Sequence, residues 1–360
     1  MITKKIKILL LQYIILLLGC FIFISTPAQA NPENTVNILT WWGYLLPDNV
    51  AMAEKSCHVK ISFDEYYSDT EFLRRWEEQK QNYDIITFSD IMFNLIKDEV
   101  SLNDSPLWEI SKQYNPIVRE HYQQYHFPTN VVFFTEALTG FIWNPAVVQL
   151  DKNDSIDTLF KKAGSNIVAI FDDPTEANMV ITLGLNGLNH PAQQQFFSAL
   201  DPDNFKKVTQ NAKIIITDNY QKIYQHPNFA FALTWQGNAM FYEKEKLNTF
   251  PFLIHPQLSY VSFDLLAATN NKQATLCVAK ALLSKKAMAL VENTDYYFSP
   301  YLDVKQITSP YFKKIYKDFL AYLPKLPWIQ LVSREEFRQL TRQWDTIRLN
   351  FSANNNPPIA

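Results

Sequence analysis

From Val36 onward the chain switches between two hydrophobic periods. Val36 to Thr40 is a short apolar run that ends in Trp41-Trp42-Gly43-Tyr44, and Val59 to Asp64 alternates with a period of two. Tyr83 to Phe88 is continuous enough to be a strand buried on both faces. Helical spacing fills the gaps. Ser68-Asp69-Thr70-Glu71 is a capping box, and Phe72, Trp76 and Gln79 follow it on one face. Ser89-Asp90 caps a second helix, from Ile91 to about Glu99. The middle of the chain repeats the order. Asn166 to Phe171 is a strand, and Asp172-Asp173-Pro174 then opens a helix that carries Glu176, with Pro at the first helical position. Phe229 to Trp235 is a strand that runs into Gln236-Gly237-Asn238-Ala239, and Tyr260 to Leu266 is another. Helices are predicted from about Lys272 to Leu283, with Leu276, Ala279 and Leu283 on one face, and from Ser333 to Leu349; the Asn/Pro-rich tail from Ser352 is expected to fray. Strands alternating with helices predict parallel pairing in an α/β sheet.

The first 30 residues follow a different rule. Lys4, Lys5 and Lys7 precede an apolar run from Ile8 to Ile24, and Ala28-Gln29-Ala30 is a small-x-small cleavage site, so residues 1–30 read as an export signal. The competing reading is a lipoprotein anchored through Cys20, because Leu17-Leu18-Gly19-Cys20 resembles a lipobox. Leu18 is bulky for that motif, and the apolar run continues past Cys20. Nothing downstream supplies the roughly 18 consecutive apolar residues of a membrane span. Loss of the leader lowers Lys+Arg from 33 to 30 against 36 Asp+Glu, a net charge near −6. That balance argues against a nucleic-acid surface and mildly favours a cationic ligand. A hydrophobic content of 47% over 360 residues is enough to bury a sizeable core, and the length suggests two domains. Cys57 and Cys277 remain, either as one long-range disulfide or as two buried thiols.

Motifs for chemistry are absent from the sequence: there is no P-loop, no GxSxG elbow, no HExxH and no clustered zinc spacing. The six His are scattered and read as surface or boundary residues. What recurs is an aromatic or an acid just past a strand end, where open α/β sheets bind ligands. Four segments do this: Thr40 to Tyr44, Phe171 to Glu176, Leu233 to Asn238, and Ser262 to Ala267. If they converge, rings form walls and carboxylates form ends, an environment suited to an alkyl ammonium. Each residue also has a plainer reading. Either Trp41 or Trp42 is a core residue; Trp235 plugs a sheet edge; one of Asp172 and Asp173 is a helix cap, and Asp172 in that role frees Asp173. Asp264, flanked by Phe263 and Leu265, needs a partner if it is buried.

At these residues the chain resembles the periplasmic spermidine/putrescine-type (polyamine) solute-binding proteins of ABC transporters. The likeness covers nearly all of the mature chain, in order: the Trp-x-x-Tyr strand, the Tyr-Asp-Ile-Ile strand with a following Ser, the Asp-Asp-x-x-Glu turn, the Trp-x-Gly-x-Ala turn and the late Asp. The resemblance implies a type II-like fold of two α/β lobes with hinge crossover strands. Lobe 1 would comprise 31–140 and 257–305, lobe 2 141–256 and 306–350, and 351–360 a flexible tail. It implies that Trp41, Tyr44 and Trp235 wall the ligand, that Asp173 and Glu176 take one amine and Asp264 another, and that Ser89 and Gln330 add hydrogen bonds. It also implies a periplasmic monomer with no cofactor and no catalytic step, which hands its amine to a membrane permease; a ligand sensor of the same fold, or a binder of a neutral solute, is the alternative. Three positions depart from the family's pattern. Gly43 stands where an acid is usual, Ser262 where an aromatic is usual, and Ile91 where a Tyr is frequent. The loss of the acid at Gly43 puts a long triamine in doubt.

Overall fold

A computed structural model describes residues 35–186, 201–217, 220–244, 250–329 and 331–355. Its centre is one nine-stranded mixed sheet. The strands are β1 (Thr35–Trp41), β2 (Lys60–Tyr66), β3 (Ile85–Ser89), β4 (Val131–Trp143), β5 (Ile167–Ile170), β6 (Lys213–Ile216), β7 (Phe229–Trp235), β8 (Phe252–Leu253) and β9 (Tyr260–Ala268), in the order β2-β1-β3-β9-β4-β7-β5-β6, with β8 on β4. The predicted parallel pairing holds at both ends, β1 with β3 and β5 with both β6 and β7. The centre is antiparallel: β9 pairs with β3 and with β4, and β4 pairs with β7. β4 and β9 therefore run side by side between a first half, β2-β1-β3, and a second half, β7-β5-β6. All 13 residues of β4 and all 9 of β9 are buried, which is why neither shows a clean period of two.

Each sequence-predicted strand forms, within a residue or two at either end. Ser68 caps the helix Asp69–Gln79, accepting the Glu71 N–H at 3.2 Å. Its packed face consists of Asp69, Phe72 and Trp76; Gln79 is exposed, so it does not extend the expected face. The helix expected from Ile91 begins as a 3₁₀ turn at Asp90 and becomes α-helical over Phe93–Val100. Ser89 makes no cap there, because its hydroxyl turns to Asp69 instead. The C-terminal helix runs from Arg334 to Asn355, past the residue where fraying was expected. Phe351 packs edge-on to the buried Phe205 at 5.3 Å, which gives that extra turn an apolar anchor. Residues 1–34, with the expected signal, and Gln330 lie outside the described residues, and among the described residues no helix is long and apolar enough to cross a membrane.

One open alternative is resolved, and one expectation changes in part. Cys57 and Cys277 form a disulfide between the helices Pro47–Cys57 and Gln273–Leu282, with a Cα–Cα distance of 5.8 Å. His255 is fully buried and bonds the Asp154 carbonyl oxygen at 2.8 Å, and His121 stacks on Trp328 with ring centroids 3.7 Å apart. His255 is thus a core residue, whereas His121, half-buried, is a boundary residue as expected. Both are desolvated, which pushes the His121 imidazole down to about 4 and so keeps it neutral against its aromatic neighbours.

Candidate functional site

The carboxyl ends of β1, β3, β5 and β7 open onto one cleft of about 240 Å³. Its wall includes Trp41, Tyr44, Ser89, Asp173, Glu176, Trp235 and Asp264, every predicted site residue that the structure describes. Their convergence follows from topology. In a sheet wound this way, strand ends from both halves face the same edge of β4 and β9. Trp41 is the last residue of β1, and Gly43 then reverses the chain at φ +78°, a left-handed conformation that a side chain adopts only with strain. The turn brings Tyr44 back over the cleft. The Gly43 N–H is held by a Glu65 carboxylate oxygen at 2.8 Å.

Asp264 sits in the middle of β9, directly opposite Ser89 on β3 and Thr135 on β4. A register shift between Phe133 and Thr135 sets the Thr135 pairing. The Thr135 hydroxyl donates to Asp264 Oδ2 at 3.0 Å, and the Tyr44 hydroxyl donates to the same oxygen. Burial pushes the Asp264 carboxyl up to about 6, and the Tyr44, Thr135 and Trp41 donors hold it from rising further. Trp41 Nε1 is buried and has no partner at hydrogen-bonding geometry, so its pull is the weakest of the three.

Glu176 lies deeper, 4% exposed, on the first turn of the helix Pro174–Asn186. Trp235 Nε1 donates to its Oε1 at 3.2 Å, Thr139 Oγ1 to its Oε2 at 3.2 Å, and the Tyr260 hydroxyl also donates to Oε2. Burial, and secondarily the Asp173 charge, raises the Glu176 carboxyl well above the ordinary range. Asp173 is itself the helix cap. Its Oδ1 accepts the Thr175 and Glu176 N–H groups, both at 2.8 Å. This reverses the expectation that Asp172 caps and Asp173 is spared. The cap position directly precedes Pro174 at the first helical turn, and Asp172 is instead engaged by Trp344 Nε1 at 2.9 Å and Arg348 at 3.2 Å.

Several wall residues carry no ligand role in the sequence, Asp69, Asp90, Tyr66 and Tyr297 among them. Asp69 opens the helix after β2, and Asp90 follows β3. Tyr66 and Tyr297 complete the aromatic wall: Tyr66 packs on Trp41 at 4.5 Å and Tyr297 on Tyr44 at 5.4 Å. Asp90 is fully buried with both oxygens engaged by the backbone, Oδ1 by Ile91 and Oδ2 by Phe263, so it pins β9 and is not open to a guest. Trp42 is 61% exposed and stacks on Tyr67, which places it at the rim. Among the described residues no Lys, Arg or His lines the cleft, and no group of three His, Cys, Asp or Glu is arranged to hold a metal ion.

The Asp264 shift has a measurable sign. A carboxyl whose folded value lies near 6, against 3.8 unfolded, binds its proton more tightly in the folded state. Its contribution is therefore full below about pH 4 and is lost as pH rises through about 6, roughly 3 kcal/mol by the linkage relation. The ligand-free protein should lose melting temperature over that window, and Asp264→Asn should flatten this part of the curve. Melting curves between pH 4 and 7 test this, and parallel slopes for wild type and Asp264→Asn would refute it.

No protein-family model matches the chain, and no curated protein sequence matches it. Solved structures do. Spermidine/putrescine ABC transporter substrate-binding protein PotD from Streptococcus pneumoniae, in complex with calcium and HEPES, is 19% identical at a TM-score of 0.70, over 90% of this chain and 100% of that one. The Tp0655 lipoprotein of Treponema pallidum is 16% identical at a TM-score of 0.68, over 88% and 99% of the two chains. The PBP MotA from A. tumefaciens B6, in complex with glucopine, is 13% identical at 0.64, over 87% and 99%. At these identities the likeness establishes the fold: this chain has the α/β fold of ABC transporter substrate-binding proteins, as its motifs led one to expect. The ligands named for these structures differ from one another, so the fold leaves the guest open.

Proposed function

We propose that this protein is an exported solute-binding protein that captures a small cationic amine, of the polyamine class, between two lobes and delivers it to a membrane permease of the ABC type. One observation carries the reading. Carboxylates from both halves of the sheet, Asp69, Asp173, Glu176 and Asp264, share a ring-walled cleft into which no basic side chain of the described residues reaches. Like charges gathered in a desolvated space need a counter-charge, and here the guest supplies it. The cleft, at about 240 Å³, lies below the roughly 300–1,000 Å³ of pockets for drug-sized ligands, which favours a slender molecule. Methylenes would lie against Trp41, Tyr44 and Trp235 while ammonium groups meet carboxylates; a cation over such rings gains roughly 0.5–2 kcal/mol.

The lobes in this reading keep their sequence-predicted bounds, with β4 and β9 as the hinge, and the protein acts as a monomer, without a cofactor or a catalytic step. Gln330 would add a hydrogen bond to the guest in this reading.

A thermal-shift screen of putrescine, spermidine, other amines and neutral sugars tests it. At about 100 times its dissociation constant a true ligand adds about 2.7 kcal/mol of stability. Amines are expected to raise the melting temperature by several degrees and sugars to leave it unchanged. A shift with a sugar and none with any amine would reject the cationic guest.

A further inference from the structure

Asp69 enters the sequence only as part of a capping box, yet it lies among like charges in the wall of the cleft. Its side chain is 93% buried (7% exposed), in the wall of the cleft, at the start of the helix Asp69–Gln79. Ser89 Oγ donates to Oδ1 at 2.8 Å, and the other oxygen, Oδ2, has no donor among the described residues. This sets it apart from Glu176 and Asp90 and likens it to Asp264, whose Oδ1 likewise has no donor among the described residues. Both oxygens of Glu176 and both of Asp90 are taken by the protein's own donors, and Asp264 Oδ2 carries two. Asp69 thus presents to the cleft a carboxylate oxygen that the protein's own donors leave open to a guest.

The neighbouring charges sharpen the requirement. Asp69 faces Asp173, which belongs to the second half of the sheet, and Asp264 on β9; both raise its proton affinity on top of burial, and the Ser89 bond opposes them. Three carboxylates from three parts of the fold therefore share one small cavity. A guest with one positive charge leaves at least one of them charged without compensation, or forces it to take a proton. A guest with two or more charges compensates Asp69 as well.

We propose that Asp69 is a ligand-contacting, specificity-determining residue that takes one ammonium of the guest and makes the cleft select di- and polycationic amines over monoamines. This rests on the amine reading of the cleft given above. Ser89 is the positioning residue, because its hydroxyl fixes which oxygen of Asp69 remains open.

Asp69→Asn tests the assignment, since it keeps the size and the acceptor for Ser89 and removes the charge. Calorimetric titration compares 1,4-diaminobutane with 1-aminobutane, which share a chain length and differ by one ammonium. The variant is expected to lose at least about tenfold in affinity for the diamine and to change less than about twofold for the monoamine, the scale of one charge-assisted hydrogen bond. An equal loss for both ligands would show a merely structural role and overturn the assignment, as would no loss for either. Should Asp69→Asn fail to fold, Ser89→Ala carries the test. A loss of about twofold to fivefold confined to the diamine supports the assignment, and equal changes overturn it. Wild-type protein that binds neither of these nor spermidine would overturn the amine reading, and this assignment with it; wild-type binding that the variants leave untouched overturns the assignment of Asp69 alone.

Discussion

Asp264→Ala is expected to weaken amine binding by at least about 30-fold, because truncating one partner of a buried, hydrogen-bonded charge pair costs roughly 2–5 kcal/mol. Asp264 is 8% exposed, at the crossing of β3, β4 and β9, and no other acid occupies that point of the wall. Alanine removes the charge that meets the guest, and it also strands the Tyr44 and Thr135 hydroxyls, which both donate to Asp264 Oδ2. Asp264→Asn separates the two effects, since its side-chain carbonyl still accepts from Thr135. Binding lost equally in the two variants assigns the effect to charge; binding lost only in the alanine variant assigns it to Tyr44 orientation. Calorimetry on protein whose melting is native-like reads both. Unchanged affinity in the alanine variant would remove Asp264 from the site.

The second large effect concerns stability. Reduction of Cys57–Cys277, or replacement of both cysteines by Ser, is expected to cost about 3–5 kcal/mol and to lower the melting temperature by roughly 5–10 °C. The two residues lie 220 positions apart, so the bond closes a very long loop in the unfolded chain, the case in which loop entropy predicts the largest gain. It also ties the helix Pro47–Cys57 to the helix Gln273–Leu282, joining a segment that follows β1 to one that follows β9. Denaturant unfolding of oxidised, reduced and double-Ser protein measures the cost. Identical midpoints for oxidised and reduced protein would show that the bond does not form or does not matter.

How much could be read in advance varies with the range of the interaction. The apolar runs of β1, β3, β5, β7 and β9 were legible because burial of a strand is written in its own residues. β4 was not. Val131 to Trp143 is buried throughout but carries Thr135, Glu136, Thr139 and Gly140, which break the apolar run. Gly140 is there because a Cβ would fall 2.6 Å from the Phe252 ring and 2.7 Å from the Leu253 carbonyl oxygen on β8, a crowding visible only once β8 pairs with β4. Asp173 and Asp172 exchanged expected roles for a similar reason. Either acid suits a cap by its chemistry, and the partners of Asp172, Trp344 and Arg348, come from the far C-terminal helix.

By itself the sequence determined where most of the strands lie, β4 excepted, and that aromatics and acids cluster at strand ends. Those features depend on neighbours within one helical turn or one pleat, and such neighbours are local in the chain. Tertiary structure alone decided which acids meet. The Tyr44–Asp264 contact spans 220 residues and the Asp90–Phe263 contact 173, and both exist only because β9 returns between β3 and β4. The strand order also brings Asp69 and Tyr297 into the wall and pairs the two cysteines, since desolvation and like-charge conflict arise from enclosure, which no short stretch of chain can express.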